Sequence, residues 1–367
     1  MNTQIQDKFT FKNGQTMRNR VVLAPRTICV GGPGVYLSQA NIFFFARRSR
    51  SVGMVITGST YVHPLGKSFA ESFSGAEDDK IEGLSRLAKA IKDQGALAIV
   101  QLYHGGRMVL PDLIDGQPVA PSAVKAPRDY LAEPRALKNA EVEQVIEDFL
   151  SAIRRAIQAG FDGVELHGAN TYLIQQFVSP HSNVRQDKWG GSLNNRLRFP
   201  KTLLKRAKQL VKEEADRPFL IGYRFSPEEI EEPGIQLYDT LQLLEQLIYH
   251  QVDYLHISTS DVWRSSIRDS QDSEPVIEKI IRKINDRVPL IGVGQIETKQ
   301  DAQRVLDAGI PLFALGKALL LDPDWTEKVV SGRESEVIRA YRDEMQADLA
   351  LPTAFVEDAR SYLEGKD

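Results

Sequence analysis

Apolar and polar positions follow two alternating rhythms along this chain. Short β-branched runs recur every few tens of residues, with amphipathic stretches of helical spacing between them, which is how strands that pair in parallel must be connected. Eight such runs are legible: VVLAPRT at 21–27, MVITGST at 54–60, LAIVQLY at 97–103, GVELHG at 163–168, FLIGYRFS at 219–226, YLHISTS at 254–260, PLIGVGQ at 289–295 and LFALGK at 312–317. Between the third and fourth, residues 139–159 repeat apolar side chains at Val142, Val145, Ile146, Phe149, Ile153 and Ile157. This is the stripe of a helix docking on a sheet, and it ends at Gly160. Similar stripes occupy 193–211, 237–250, 276–284 and 302–306. The stretch 108–138 is rich in proline and charge and reads as a long loop over one mouth of the assembly.

Eight β/α units without a Pro/Ser-rich linker or composition break predict one α/β unit, a single (β/α)8 TIM barrel over 1–333. Residues 334–367 are expected to form a C-terminal helical tail packed on or beside it. An open doubly wound sheet would show the same alternation. Against it, no G-x-G-x-x-G follows any of the runs, and polar residues gather at the C-terminal ends of nearly all of them, where barrel enzymes keep their chemistry.

Composition narrows the ligands. The 46 basic and 49 acidic residues leave a net charge of -3, so neither nucleic acid nor an anionic membrane is expected as partner, and small molecules become the expected ligands. Cys29 is the only cysteine, which excludes an internal disulfide framework, a multi-cysteine metal site and an iron-sulfur cluster. The opening MNTQIQDKFTFKNG lacks the basic and apolar regions of a signal peptide, and no apolar run approaches the roughly 18 residues of a membrane span. A cytoplasmic protein is expected. His63, His104, His181, His250 and His256 show no metal-ligand spacing, so no metal is assigned, and His104 and His256 read as satisfied packing residues.

The segment richest in chemistry is 160–199, GFDGVELHGANTYLIQQFVSPHSNVRQDKWGGSLNNRLRF. His167 ends a strand, Asn170 lies three residues on and Tyr172 two later. An imidazole, an amide and a phenol at the mouth of a barrel can all donate hydrogen bonds toward one ligand. Alone, a buried His or Tyr satisfied by backbone groups is the blander explanation. Together, H-x-x-N-x-Y, the downstream D-K-W-G-G-S-L-x-N-R, and agreement from NRVVLAPRT through QLYHGGR to GKALLLDPDW closely resemble the Old Yellow Enzyme family of flavin oxidoreductases.

The resemblance implies FMN lying across the barrel mouth, reduced by NADH or NADPH, and hydride passed on to the β-carbon of an electron-poor alkene. It implies that His167 and Asn170 donate hydrogen bonds to the substrate oxygen, an interaction worth about 3 kcal/mol apiece in comparable oxyanion sites, and that Tyr172 delivers a proton to the α-carbon. It places Arg224 against the flavin pyrimidine and Gln101 on the same edge. Thr27 falls near flavin O4 and N5, with backbone groups of Pro25, Arg26 and Ser59 completing the ring contacts. For Arg224 a structural salt bridge is the alternative. Gly294, Gly316 and Lys317, after the seventh and eighth runs, are implied at the phosphate, a placement common in barrels.

Several positions depart from the family pattern. Lys317 stands where relatives usually have Arg, which keeps the cation and loses the bidentate fork. Arg26 replaces a residue that is commonly apolar, and its guanidinium is free to reach phosphate or carboxylate. Gly58 stands where many relatives carry Glu, and Gly31, Gly32 and Gly34 make an unusual loop around Pro33. Cys29 is displaced from the position some relatives use for a flavin-contacting cysteine. Trp263 and Arg264 either line the entrance or sit on an incidental surface loop. The expected function is that of an FMN-dependent NAD(P)H oxidoreductase acting on enones or related nitro compounds. A flavin-free barrel lyase with a phosphorylated substrate and a non-catalytic flavin-binding barrel are the alternatives.

Overall fold

The computed structural model describes residues 3–28, 37–70 and 72–364, so Cys29 and the glycine run at 31–34 lie outside the described residues. Eight parallel strands close on themselves: β1 (Val21–Leu23), β2 (Met54–Ile56), β3 (Leu97–Tyr103), β4 (Gly163–Gly168), β5 (Leu220–Phe225), β6 (Tyr254–Ile257), β7 (Leu290–Val293) and β8 (Leu312–Leu315). Each pairs with its sequence neighbours, and β8 returns to β1 through Phe313↔Val21 and Leu315↔Leu23. The (β/α)8 barrel expected from the periodicity is the architecture found. β3 and β4 have the bounds read from sequence. β1 stops at Leu23 rather than Thr27, β6 at Ile257 rather than Ser260 and β7 at Val293 rather than Gln295, because the chain leaves the ladder there to form the rim.

The helices follow their apolar stripes. The helix Asn139–Gln158 buries Val142, Val145, Ile146, Phe149, Ile153 and Ile157 against the sheet, and Gly160 adopts φ +84°, the left-handed turn that ends it. Val276–Ile284 has the expected bounds and ends at Asn285 with φ +48°. The stripe expected as one element at 193–211 divides into Leu193–Arg196 and Arg198–Glu214, with Leu197 as the joint. The loop at 108–138 carries a short parallel ladder, Val119–Ala120 with Arg135–Ala136. Its tip lies near enough to Tyr172 for Arg128 and Tyr130 to act electrostatically on that phenol.

Two hydrophobic regions result. Outward-facing strand residues such as Val164, Leu166 and Phe313 pack under the helices. Inside the barrel, Val22, Met54, Ile56, Ile99, Leu220, Tyr254, Ile291 and Leu312 form a second cluster. Phe11 and Met17, from the N-terminal hairpin Phe9–Thr10/Thr16–Met17, join that cluster and plug the N-terminal end. Space inside a barrel of this size is limited to what facing side chains leave one another. Gly222 and Tyr254 are such a pair, since a Cβ on Gly222 would lie 2.0 Å from the Tyr254 ring.

Beyond β8 the chain forms Lys317–Leu321 and Trp325–Val330, then turns back to the helix Thr353–Glu364. Phe355, Val356, Ala359 and Leu363 of that helix are buried in the outer core. The fully buried Arg48 ties this segment to the barrel by donating to the carbonyls of Leu320 (3.2 Å) and Leu349 (3.0 Å).

The Gly222–Tyr254 fit carries a prediction. Gly222→Ala forces the ring aside and should lower the unfolding free energy by about 3 kcal/mol, the upper part of the usual range for an overpacked core. Urea denaturation measures it, and adding Tyr254→Leu to Gly222→Ala should recover most of the loss.

Candidate active site

Strand alternation sends every second residue into the barrel. Above the apolar layer the inward positions are Gln101 on β3, Glu165 and His167 on β4, Arg224 on β5 and His256 on β6, all buried. The parallel register sets Glu165 opposite Gln101, His167 opposite Arg224, and Arg224 opposite His256. A buried chain of hydrogen bonds links them: Ser59 Oγ donates to Gln101 Oε1 (3.3 Å), Gln101 Nε2 to Glu165 Oε1 (2.7 Å), and His256 Nδ1 lies 2.9 Å from Glu165 Oε2. β4 and β6 are separated by β5, so the Glu165–His256 contact crosses the barrel interior.

Charge in this layer follows from burial and partners. Burial would raise the Glu165 pKa, but His256, Arg224 and the Gln101 amide together hold it below the usual carboxylate value, so it is ionised. Burial pushes His256 down, with Glu165 opposing and Arg224 adding to the depression, so the imidazole is neutral and Nδ1–H is the donor to Glu165. Among the described residues its Nε2 has no partner, and neither has Nε of Arg224. Burial likewise lowers the pKa of Arg224, which retains a guanidinium beside the Glu165 charge.

His167, Asn170 and Tyr172 stand at the rim just above. Burial first, then the charge of Arg224, depress His167 and keep it neutral. Its Nδ1 accepts from the Ala169 amide at 3.4 Å, which leaves the proton on Nε2. Asn170 sits in the left-handed region (φ +56°); its backbone N–H donates to Ser226 Oγ (3.0 Å) beyond β5, and its Oδ1 accepts from Ser258 Oγ (2.8 Å) beyond β6. With the carbonyl oxygen engaged, its NH2 is the end left to a ligand. Tyr172 packs edge-on against His167 (ring centres 4.9 Å) and Tyr103 (5.2 Å), and burial raises its phenol above the ordinary value.

The other residues singled out from sequence divide into two groups. Ser59 and Gln101 belong to the buried chain. Pro25, Arg26 and Thr27 continue from β1 along the rim, where Gly58 faces them; a Cβ on Gly58 would lie 2.4 Å from the Arg26 carbonyl oxygen, so no side chain fits there. Gly294 has φ +112° and presses on Ser260 and Asp261, within 2.8 Å of a hypothetical Cβ, which locks the β6 and β7 loops together. Gly316 borders open space and leads into Lys317, after β8. The side chains of Arg26 and Lys317 turn toward the terminal helix rather than to the layer around Glu165. Trp263 is half-buried against the core with the Arg304 guanidinium 4.1 Å above its ring, and Arg264 donates to Thr259 Oγ1 (2.8 Å).

Two members of the site were not read from the sequence. Glu165 was unremarked, although an acid in the middle of the apolar run GVELHG was a legible sign of an inward polar position. His256, expected as a packing residue, is instead the buried partner of that carboxylate. His104 fits its expected role, buried, accepting from the Gly106 amide (3.1 Å) and held down to about 3 by burial.

A closed parallel barrel with a polar, partly unpaired layer at the C-terminal ends of its strands is the architecture of a barrel enzyme with its chemistry on that rim. The chain belongs to the NADH:flavin oxidoreductase / NADH oxidase family, whose model matches residues 7–336. It is 47% identical over 340 residues to the NADH:fumarate oxidoreductase of Klebsiella pneumoniae, covering 92% of this chain and 37% of that protein. It is 42% identical over 360 residues to the NADH:acrylate oxidoreductase of Vibrio harveyi, covering 96% and 36%. The chain thus spans little more than a third of the length of these relatives. Among solved structures, an old yellow enzyme homologue from Zymomonas mobilis superposes with a TM-score of 0.77 at 26% identity, covering 90% of this chain and 93% of that one. The resemblance read from the motifs is borne out, and the flavin-free lyase alternative falls with it.

The three buried neutral histidines predict a pH dependence of stability. In the unfolded chain His104, His167 and His256 take up protons as pH falls through about 6.5, whereas in the fold all three are depressed. Unfolding therefore absorbs protons in acid. Stability should be complete above pH 7.5 and decline below 6.5 by up to about 1.4 kcal/mol per pH unit for each histidine. Urea unfolding at pH 7.5 and 5.5 measures this; equal stabilities would refute the neutral assignments.

Proposed function

We propose that this chain is an FMN-dependent NAD(P)H oxidoreductase, using NADH, that delivers hydride to an activated alkene such as an enone, or to a related nitro compound. One observation carries the reading. The two donors at the rim are each fixed by a second bond that leaves the donating end outward: His167 by the Ala169 amide on Nδ1, Asn170 by Ser258 on Oδ1. Such prefixed donors are suited to an oxygen that gains negative charge in the transition state.

The cofactor fits the buried polar groups that have hydrogen-bonding capacity left over. Gln101 and Arg224 would hold the pyrimidine end of FMN, with the Nε of Arg224, partnerless among the described residues, available to it, and the backbone of Ser59 would add to the ring contacts. Thr27 and the backbone of Pro25 and Arg26 would border the ring, and Gly294, Gly316 and Lys317 would stand at the phosphate. When bound, the flavin supplies two-electron chemistry, taking hydride from the nicotinamide and giving it to the acceptor. His167 Nε2–H and the Asn170 NH2 hold the carbonyl or nitro oxygen. Tyr172, kept protonated by its burial, gives its phenolic proton to the α-carbon and is reprotonated from solvent. The acceptor and the nicotinamide would occupy the same place in turn. With one cysteine, the reducing cytoplasm is the proposed location.

A second reading concerns the acceptor. The two relatives are named for different acceptors, fumarate and acrylate, yet this chain matches both over only 37% and 36% of their lengths. What all three share suits oxidation of NADH, with the electrons then passing to another redox group.

Anaerobic stopped-flow absorbance tests both readings. NADH should bleach the yellow protein within the enzyme's turnover time, and an enone should restore the colour. Tyr172→Phe should slow the enone step at least tenfold while leaving the NADH step within about twofold, as expected for loss of a general acid worth roughly 10²–10⁴. Equal effects on both steps would defeat the proton-donor role. Rapid bleaching with no enone, nitro compound or quinone able to restore the colour would favour the second reading. A flavin that stays oxidised would indicate a carrier.

A further inference from the structure

Two cations and one aromatic ring meet outside the layer around Glu165. The Arg26 guanidinium lies 4.6 Å from the ring centre of Tyr362 and 5.3 Å from that of Phe355, and the Lys317 ammonium lies 5.1 Å from the same Tyr362 ring. Arg26 follows β1 and Lys317 follows β8. These strands pair through Leu23↔Leu315, so both side chains rise from one corner of the rim. Tyr362 comes from the helix Thr353–Glu364, whose buried Phe355, Val356, Ala359 and Leu363 seat it on the barrel.

No carboxylate among the described residues forms an ion pair with Arg26 or Lys317, in a chain where most other arginines have one. The aromatic face attracts each of the two cations but supplies no counter-charge, and no acceptor among the described residues takes their N–H groups. A Cβ on Gly316, immediately before Lys317, would meet nothing within 4 Å, so among the described residues there is room for a ligand beside the backbone that carries Lys317. The missing component is an anion with several oxygens, and a guanidinium fork together with an ammonium suits a phosphate.

We propose that Arg26 and Lys317, both of which reach the ring of Tyr362, form a two-cation corner that binds a phosphate of a bound nucleotide, making the terminal helix part of the nucleotide site. This rests on the function proposed above, which placed Lys317 at phosphate. What is added is Arg26 as its second cation and Tyr362 as the positioning residue. The phosphate belongs either to FMN or to the pyrophosphate of the nicotinamide dinucleotide.

The test titrates apoprotein with FMN and with riboflavin, which lacks the phosphate, following flavin fluorescence in the parent, Arg26→Ala, Tyr362→Leu and Tyr362→Phe. For an FMN phosphate, Tyr362→Leu and Arg26→Ala should each weaken FMN about tenfold and leave riboflavin unchanged, while Tyr362→Phe, which keeps the ring face, binds as the parent does. For a dinucleotide phosphate, both flavin affinities stay constant. The KM for NADH then rises in Tyr362→Leu while that for 1-benzyl-1,4-dihydronicotinamide, which has no phosphate, does not. Unchanged FMN affinity and NADH KM in variants that melt like the parent overturn the corner, as does equal weakening of FMN and riboflavin. A parent protein that binds neither flavin sinks the function itself, and an FMN phosphate site with it.

Discussion

A carboxylate sealed inside a barrel must be neutralised from within, and Glu165 imposes that requirement on four strands at once. Removing such a charge from water costs several kcal/mol, recovered only when hydrogen bonds and an opposite charge replace the solvent. Gln101 from β3, His256 from β6 and the guanidinium of Arg224 from β5 supply the replacement. Each is thereby restricted in orientation. Gln101 directs its amide N–H to Glu165 and its oxygen to Ser59; among the described residues His256, with Nδ1 committed, has Nε2 without a partner, and Arg224 has an unpaired Nε. The layer beneath the proposed flavin is thus rigid and polar, with hydrogen-bonding capacity left over.

The same economy operates one level up. His167 and Asn170 have different chemistry, yet each spends its acceptor on a protein partner and keeps its donor outward. Those partners come from the chain around β4 and from the end of β6. The donor geometry therefore depends on the barrel having closed, since Ser258 approaches Asn170 only after β4, β5 and β6 are laid side by side. Preorganisation of this kind costs nothing at the moment of reaction because it was completed in folding.

On the β1/β8 side three positions singled out separately along the chain are linked in space. Gly58 leaves room for the Arg26–Thr27 backbone, Arg26 reaches outward, and the terminal helix supplies an aromatic face to receive it together with Lys317. Viewed singly along the chain, Gly58, Arg26 and Lys317 showed no connection. In space the last two share one ring, and Gly58 makes way for the backbone that carries Arg26.

The eight strands, the stripes at 139–159 and 276–284, and the motif from His167 to Tyr172 were legible in the sequence because each is local: a period of two, a period of 3.6, or a spacing of a few residues within one segment. Strand ends were overread, since a β-branched residue at a rim has the same propensity whether or not a neighbour is there to pair with it. The partnership of Glu165 with His256, ninety-one positions apart, left no local trace beyond an acid in an apolar run. Sequence periodicity determined which side chains face the barrel interior. Only closure of the barrel decided which of them meet, because contacts across its interior and with the returning terminal helix are set by strand order and register, neither of which any single segment encodes.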